Sequence, residues 1–61
     1  MDWQEVNCVV DALKLLVERY GEIVRNSAID EDDRSDTTND LAYAEILLHK
    51  YEDMRSKIAS S

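Results

Sequence analysis

The hydrophobic residues in the first third of the chain recur with gaps that alternate between three and four residues. Such spacing lines side chains along one side of an α-helix and is typical of a helix packed against a neighbour. A second apolar row runs beside this seam at seven-residue intervals, so the stripe is wider than a two-stranded coiled coil needs. We therefore predict a first helix over about residues 2–26, with packing residues Trp3, Val6, Val9, Val10, Leu13, Leu16, Val17, Tyr20, Ile23 and Val24.

Asp2 marks the expected start of this helix. Aspartate is a favoured N-cap, and Glu5 stands three residues later, at the position of the second capping-box residue. Met1 and Val6 have the spacing of a hydrophobic staple around that cap. Although Gly21 is unfavourable inside a helix, the apolar spacing continues beyond it, so the helix is predicted to run on to about residue 26.

The last third of the chain repeats the pattern and predicts a second helix over about residues 38–59, capped by Asp36, Thr37 or Thr38. Arg55 interrupts its seam. The stem of that arginine can lie on apolar surface while the guanidinium reaches water or a carboxylate, or the residue can fix register as polar seam residues do. The predicted packing residues of this helix are Leu41, Ala44, Leu47, Leu48, Tyr51, Met54 and Ile58.

An acidic connection over about residues 27–37 is predicted between the helices. Residues 27–40 contain six acidic side chains and one basic side chain, so they carry −5 of the chain's net charge of −7. Clustered like charges are typical of a solvated connection. Acidic residues also favour a helix N-terminus through the macrodipole, so part of this segment can belong to the second helix.

These elements predict an all-α fold, a single domain in which two helices of similar length form an antiparallel hairpin. At 61 residues with one cysteine, the chain has neither a large core nor an internal disulfide to stabilise it. Dimerisation into a four-helix bundle would cover the second apolar rows, and a different protein supplying the missing helices is the alternative. In size and topology the layout resembles the plasmid-copy-control Rop proteins, but no residue motif matches and their RNA-binding function is not implied.

The net charge of −7 argues against direct binding to nucleic acid or to anionic membranes, because both interactions require basic surfaces. The longest apolar run, residues 41–44, has four residues, far fewer than the ~20 that span a bilayer. The first residues lack the basic and apolar regions of a signal peptide. With a single cysteine favouring a reducing compartment, these features predict a cytoplasmic protein.

Two groups of polar residues contain side chains of the kinds that bind metal ions. A calcium loop of the EF-hand type beginning at Asp30 would need an oxygen ligand, glycine and glutamate where the chain has Arg34, Ser35 and Leu41. The row Glu45, His49, Glu52 and Asp53 has neither the spacing nor the core-facing position of a di-iron bundle site. We therefore predict no metal ion and no cofactor.

Catalysis is also not expected. Cys8 lies off the seam, and a catalytic thiolate needs a neighbouring base, whereas the one histidine is far away in sequence. A small semi-buried structural thiol is the simpler interpretation. Two helices and one connection also offer little concave surface for a substrate.

The expected function is that of a small acidic interaction module, a regulator or adaptor that acts through helix faces. Tyr43 and Ile46 lie off the seam and form a candidate docking patch for another protein. The alternative is an acidic inhibitor that imitates nucleic-acid phosphates and binds a basic nucleic-acid-binding protein. Its candidate contact residues are Asp30, Glu31, Asp32, Asp33 and Asp36.

Overall fold

A computed structural model describes residues 2–60, which form two α-helices, α1 (Trp3–Arg25) and α2 (Glu31–Ser60). A hydrogen bond joins Asn7, near the start of α1, to Arg55, near the end of α2, so the helices run antiparallel. The Cα atoms span 46 × 14 × 13 Å, the shape of a rod about as long as α2. The predicted all-α helical hairpin is confirmed.

The start of α1 is capped as the sequence predicts. The Asp2 Oδ1 atom accepts a hydrogen bond of 2.8 Å from the backbone N–H of Glu5, which satisfies a donor that the first helical turn leaves free. Met1, the other half of the predicted staple with Val6, lies outside the described residues. The helix passes through Gly21 and ends at Arg25, close to the predicted end.

The start of α2 corrects the predicted boundary and cap. The helix begins at Glu31, so the connection is 26–30 and most of the predicted acidic connection is helical. Its first turn contains three consecutive acidic residues, Glu31, Asp32 and Asp33, which the positive end of the helix dipole stabilises. Asp36, Thr37 and Thr38 lie inside the helix and do not cap it; the Thr38 hydroxyl donates to the backbone carbonyl of Arg34 at 2.7 Å.

Hydrogen bonds made by Asn26 and Arg34 stabilise the connection. The side chain of Asn26 accepts from the backbone N–H of Ala28 at 3.0 Å, and its carbonyl accepts from Ile29 at 3.3 Å. Arg34 Nη2 donates to that same carbonyl at 3.1 Å, while Nη1 donates to Glu31 Oε1 at 2.6 Å. Because Arg34 joins the start of α2 to Asn26, the first residue of the connection, the five-residue connection is a defined turn.

The buried core is small. Among the described residues, the buried apolar side chains are Val6, Val10 and Ala44. Trp3 was predicted to pack in the core but is 46% exposed, because it opens α1 at the end of the rod. The remaining predicted packing residues are half-buried, apart from Leu16, which is 38% exposed: Val9, Leu13, Val17, Tyr20, Ile23, Val24, Leu41, Leu47, Leu48, Tyr51, Met54 and Ile58.

The hairpin is extended for its length. Its radius of gyration is 14.0 Å, whereas a compact domain of this length has a radius of about 10.5 Å. Neither helix, over residues 2–60, has the length and apolar character needed to cross a membrane. Because the hairpin is extended, most of its packing residues lie partly in a thin core and partly at the surface of the rod.

Candidate interaction surface

One side of the hairpin is polar and carries a hydrogen bond that joins the two helices. Arg55 Nη1 donates to Asn7 Oδ1 at 2.8 Å in a half-buried position between the helices. The sequence predicts water or a carboxylate as the partner of this guanidinium, and the structure shows an amide oxygen. The bond favours this alignment of the two helices, because sliding either helix by one turn would move the two side chains apart by about 5.4 Å.

The opposite side of the hairpin is apolar. At 100° per residue, Asn7 and Val9 lie on opposite flanks of the buried pair Val6 and Val10. Residues seven positions apart lie on the same flank of a helix, so Leu16 and Ile23 lie on the Val9 flank of α1. On α2, Leu47 and Met54 occupy the equivalent flank, and in an antiparallel pair the equivalent flanks of the two helices lie on the same side of the hairpin. We call this the apolar side; its residues are Val9, Leu16, Ile23, Leu47 and Met54, all half-buried or exposed.

Tyr43 and Ile46 widen the apolar side on α2. Their exposed fractions are 64% and 65%. Tyr43 stands one helical turn before both Ile46 and Leu47, so the three side chains are neighbours on the helix surface. The predicted docking patch is therefore exposed and adjoins the apolar side, and its role as a binding site stays a prediction.

The five predicted acidic contact residues gather at the connection end of the rod. Asp30 ends the connection, and Glu31, Asp32, Asp33 and Asp36 follow on α2; all five are exposed. Asp33, Asp36 and Asp40 have gaps of three and four residues, so they form a stripe that leads along α2 to Tyr43. All five carboxylates fall within the predicted connection over about residues 27–37, whereas the structure places four of them, Glu31, Asp32, Asp33 and Asp36, on α2.

The polar side contains a shallow open hollow of about 560 Å³. Leu15, 67% exposed, forms part of its rim, and Val17 and Leu48 form its apolar floor at the helix seam. The remaining lining residues are Asp11, Lys14 and Glu18. These charged side chains lie one helical turn apart on the outer surface of α1, where the hollow opens to solvent.

The candidate metal-binding row on α2 and Cys8 lie at the surface, apart from Glu52, which is half-buried. The closest approach in the row on α2 is 3.9 Å between His49 Nδ1 and Glu52 Oε1, with the histidine side chain 81% exposed. Cys8 is exposed, which corrects the expectation of a semi-buried thiol, because it points away from α2. Across residues 2–60, no group of three or more His, Cys, Asp or Glu side chains is arranged to hold a metal ion.

Two residues that hold parts of the hairpin together, Asn7 and Arg34, are absent from the residues predicted to act in packing or binding. Asn7 lies beside the seam, and only its position relative to Arg55 on the other helix gives it a role. Arg34, the one basic residue in the acidic segment, carried a usable signal, because glutamate three residues earlier is a favourable helical partner. Its bond to the carbonyl of Asn26 depends on the turn and has no sequence signature.

The chain matches no protein-family model, no curated protein and no solved structure. The structure defines the chain as an all-α helical hairpin whose core is incompletely covered. The apolar side and the acidic start of α2 are the features that bear on its function.

Proposed function

We propose that this chain is a small, acidic, non-catalytic protein–protein interaction module, a regulator or adaptor that acts as a dimer of hairpins in a four-helix bundle. The observation that carries the proposal is the uncovered apolar side. Five apolar side chains at regular helical spacing adjoin a core that buries Val6, Val10 and Ala44. A second pair of helices laid on this side would complete the core.

The surface area indicates how much surface a compact dimer would bury. The hairpin exposes 4493 Å², about a tenth more than the roughly 4,000 Å² expected for a compact protein of 7.0 kDa. Two separate hairpins expose twice 4493 Å², whereas a compact protein of twice the mass exposes about 6,700 Å². A compact dimer would thus bury about 2,300 Å², in the range of stable homodimer interfaces.

Sedimentation equilibrium on the full chain tests this proposal. We expect twice the monomer mass of 7.0 kDa at micromolar concentration. Leu16→Lys should give a helical monomer, because it charges the centre of the apolar side. Its matched control is Leu15→Lys, which changes a neighbouring exposed leucine at the rim of the hollow and should remain dimeric. A monomeric wild type, or equal effects of the two substitutions, would contradict the proposal.

A second candidate function is supported by the helical start of α2. An inhibitor that imitates phosphates must hold its carboxylates in place, because ordering a mobile segment on binding lowers affinity. Glu31, Asp32, Asp33 and Asp36 are exposed on a helix, which meets that requirement. The partner of such an inhibitor would be the basic surface of a nucleic-acid-binding protein.

Salt dependence separates the two candidates. In pull-downs from the host's lysate read by mass spectrometry, an adaptor partner held through apolar contacts should persist at high salt. A partner held by carboxylates should dissociate, because salt screens exposed charges. Changing Asp30 and Asp32 to asparagine should weaken the second kind of complex and leave the first intact. The proposal also includes a cytoplasmic location, for which the single cysteine is the support.

A further inference from the structure

The outer surface of α2 carries a second stripe with gaps of three and four residues, turned by about 100° from the seam that faces α1. A helix in a four-helix bundle contacts two neighbours at about this angle. The stripe begins acidic, becomes apolar in the middle and ends basic. Its residues are Asp33, Asp36, Asp40, Tyr43, Leu47, Lys50, Met54 and Lys57.

We propose that this stripe is the contact with a second copy of the chain, with α2 antiparallel to the second α2 about a two-fold axis level with Glu45. The inference rests on the proposed function, because it assumes a dimer of hairpins. It adds the surface used and the orientation of the two copies. An interface of this kind presents the same patch from both subunits, so the patch must complement itself.

The stripe meets that condition in three of its four pairings. With the axis level with residue 45, Asp40 faces the second copy's Lys50, and Asp33 faces the second copy's Lys57. Tyr43 faces the second copy's Leu47 across the axis, so the apolar residues meet in the middle. The fourth pairing brings Met54 near the second copy's Asp36. Each pairing occurs twice in the dimer, which gives four opposite-charge contacts.

The side chains are available for these contacts. Asp33, Asp40, Tyr43, Lys50 and Lys57 are exposed in the single hairpin. Lys57 also lies 3.0 Å from Asp53 of its own helix, an exposed pair that leaves the ammonium group further donors for a second carboxylate. A parallel alignment would instead place each aspartate opposite its own copy, where like charges repel.

The first helix fits the same arrangement. The Asn7–Arg55 hydrogen bond sets the hairpin register, so residue 45 of α2 lies within about one turn of Leu16 on α1. The two-fold axis therefore brings the Leu16 side chains of the two copies together. Val9 and Ile23 stand seven residues to either side of Leu16, so each faces the other in the second copy. Both rows of the apolar side are then covered by one symmetric contact.

Disulfide trapping tests the orientation. In the full chain with Cys8→Ser, we would prepare Asp40→Cys and Lys50→Cys separately and mix them under mild oxidation. The proposed axis places positions 40 and 50 opposite each other and separates two copies of position 40 by about 15 Å along the helix. A disulfide needs Cα atoms within about 7 Å. We therefore expect mixed disulfides in the mixture and few disulfides in either variant alone.

Ser56→Cys is the matched control, because this exposed residue lies on the opposite side of α2 from the stripe. Mixed with Asp40→Cys, it should form no disulfide above background. Self-linked Asp40→Cys, or equal trapping with the control, in a protein that sediments as a dimer would overturn the proposed orientation and leave the dimer proposal standing. A protein that sediments as a monomer would overturn both.

A charge exchange gives an independent measurement. Asp40→Lys alone, or Lys50→Asp alone, places like charges opposite each other twice and should weaken the dimer roughly tenfold. The two changes together restore both pairs and should return the dissociation constant to within about a factor of two of wild type. Additive losses in the double variant would contradict the pairing, and circular dichroism would verify that each variant is helical.

Discussion

The hydrogen bond between Asn7 and Arg55 makes a quantitative prediction about how the two helices are held in register. The bond is 2.8 Å long, charged on the donor side, and half-buried between α1 and α2. A net hydrogen bond contributes about 1 kcal/mol, and a charged partner strengthens it while partial exposure weakens it. We therefore expect Asn7→Ala and Arg55→Ala to show a coupling free energy of about 1 kcal/mol in a double-mutant cycle.

The cycle is needed because each single substitution also changes helix propensity, and that local contribution cancels in the coupling term. Urea unfolding followed by circular dichroism, at one fixed protein concentration, supplies the four free energies. An exposed reference cycle is available in Asp53 and Lys57, whose spacing of four residues within α2 should give about 0.3 kcal/mol. A coupling between Asn7 and Arg55 no larger than this reference would refute the role of the bond in fixing register.

Three further substitutions test other parts of the hairpin. Gly21→Ala should raise the free energy of unfolding by about 0.5–1 kcal/mol, measured by urea unfolding, because the new Cβ meets only the movable tip of Arg25 at 3.1 Å; a loss of stability would contradict this. Asp2→Ala should lower the same quantity by about 1 kcal/mol, because the N–H of Glu5 loses its acceptor, and an unchanged value would show that the cap is dispensable. Leu48→Asp should abolish folding or dimerisation, as followed by helical signal and sedimentation, since it puts a carboxylate in the seam; a stable dimer would show that the core is misassigned.

The fold was largely accessible from the sequence because α1 carries both a periodic pattern and a clear N-cap at Asp2. The start of α2 was not accessible from the sequence, because clustered carboxylates are typical both of a solvated connection and of a helix N-terminus. The turn at Asn26 decides between these two structures. Arg34 closes that turn by donating a hydrogen bond to the backbone carbonyl of Asn26, and no sequence pattern reveals this contact. The exposed fraction of Leu16 likewise depends on how α1 is rotated about its own axis relative to α2. The hydrogen bond from Arg55 to Asn7 indicates that rotation, but the sequence does not reveal that these two residues are partners.

The five-residue connection also bears on the order of events when two chains meet. A loop of about ten residues closes in 10–100 ns. Two proteins at micromolar concentration, associating at about 10⁶ M⁻¹ s⁻¹, meet roughly once per second. The helices of one chain therefore find each other about ten million times faster than they meet another molecule. Because Arg34 ties the turn locally, a partner encounters a hairpin that has already sampled its closed state, and closure within the chain precedes exchange of helices between chains.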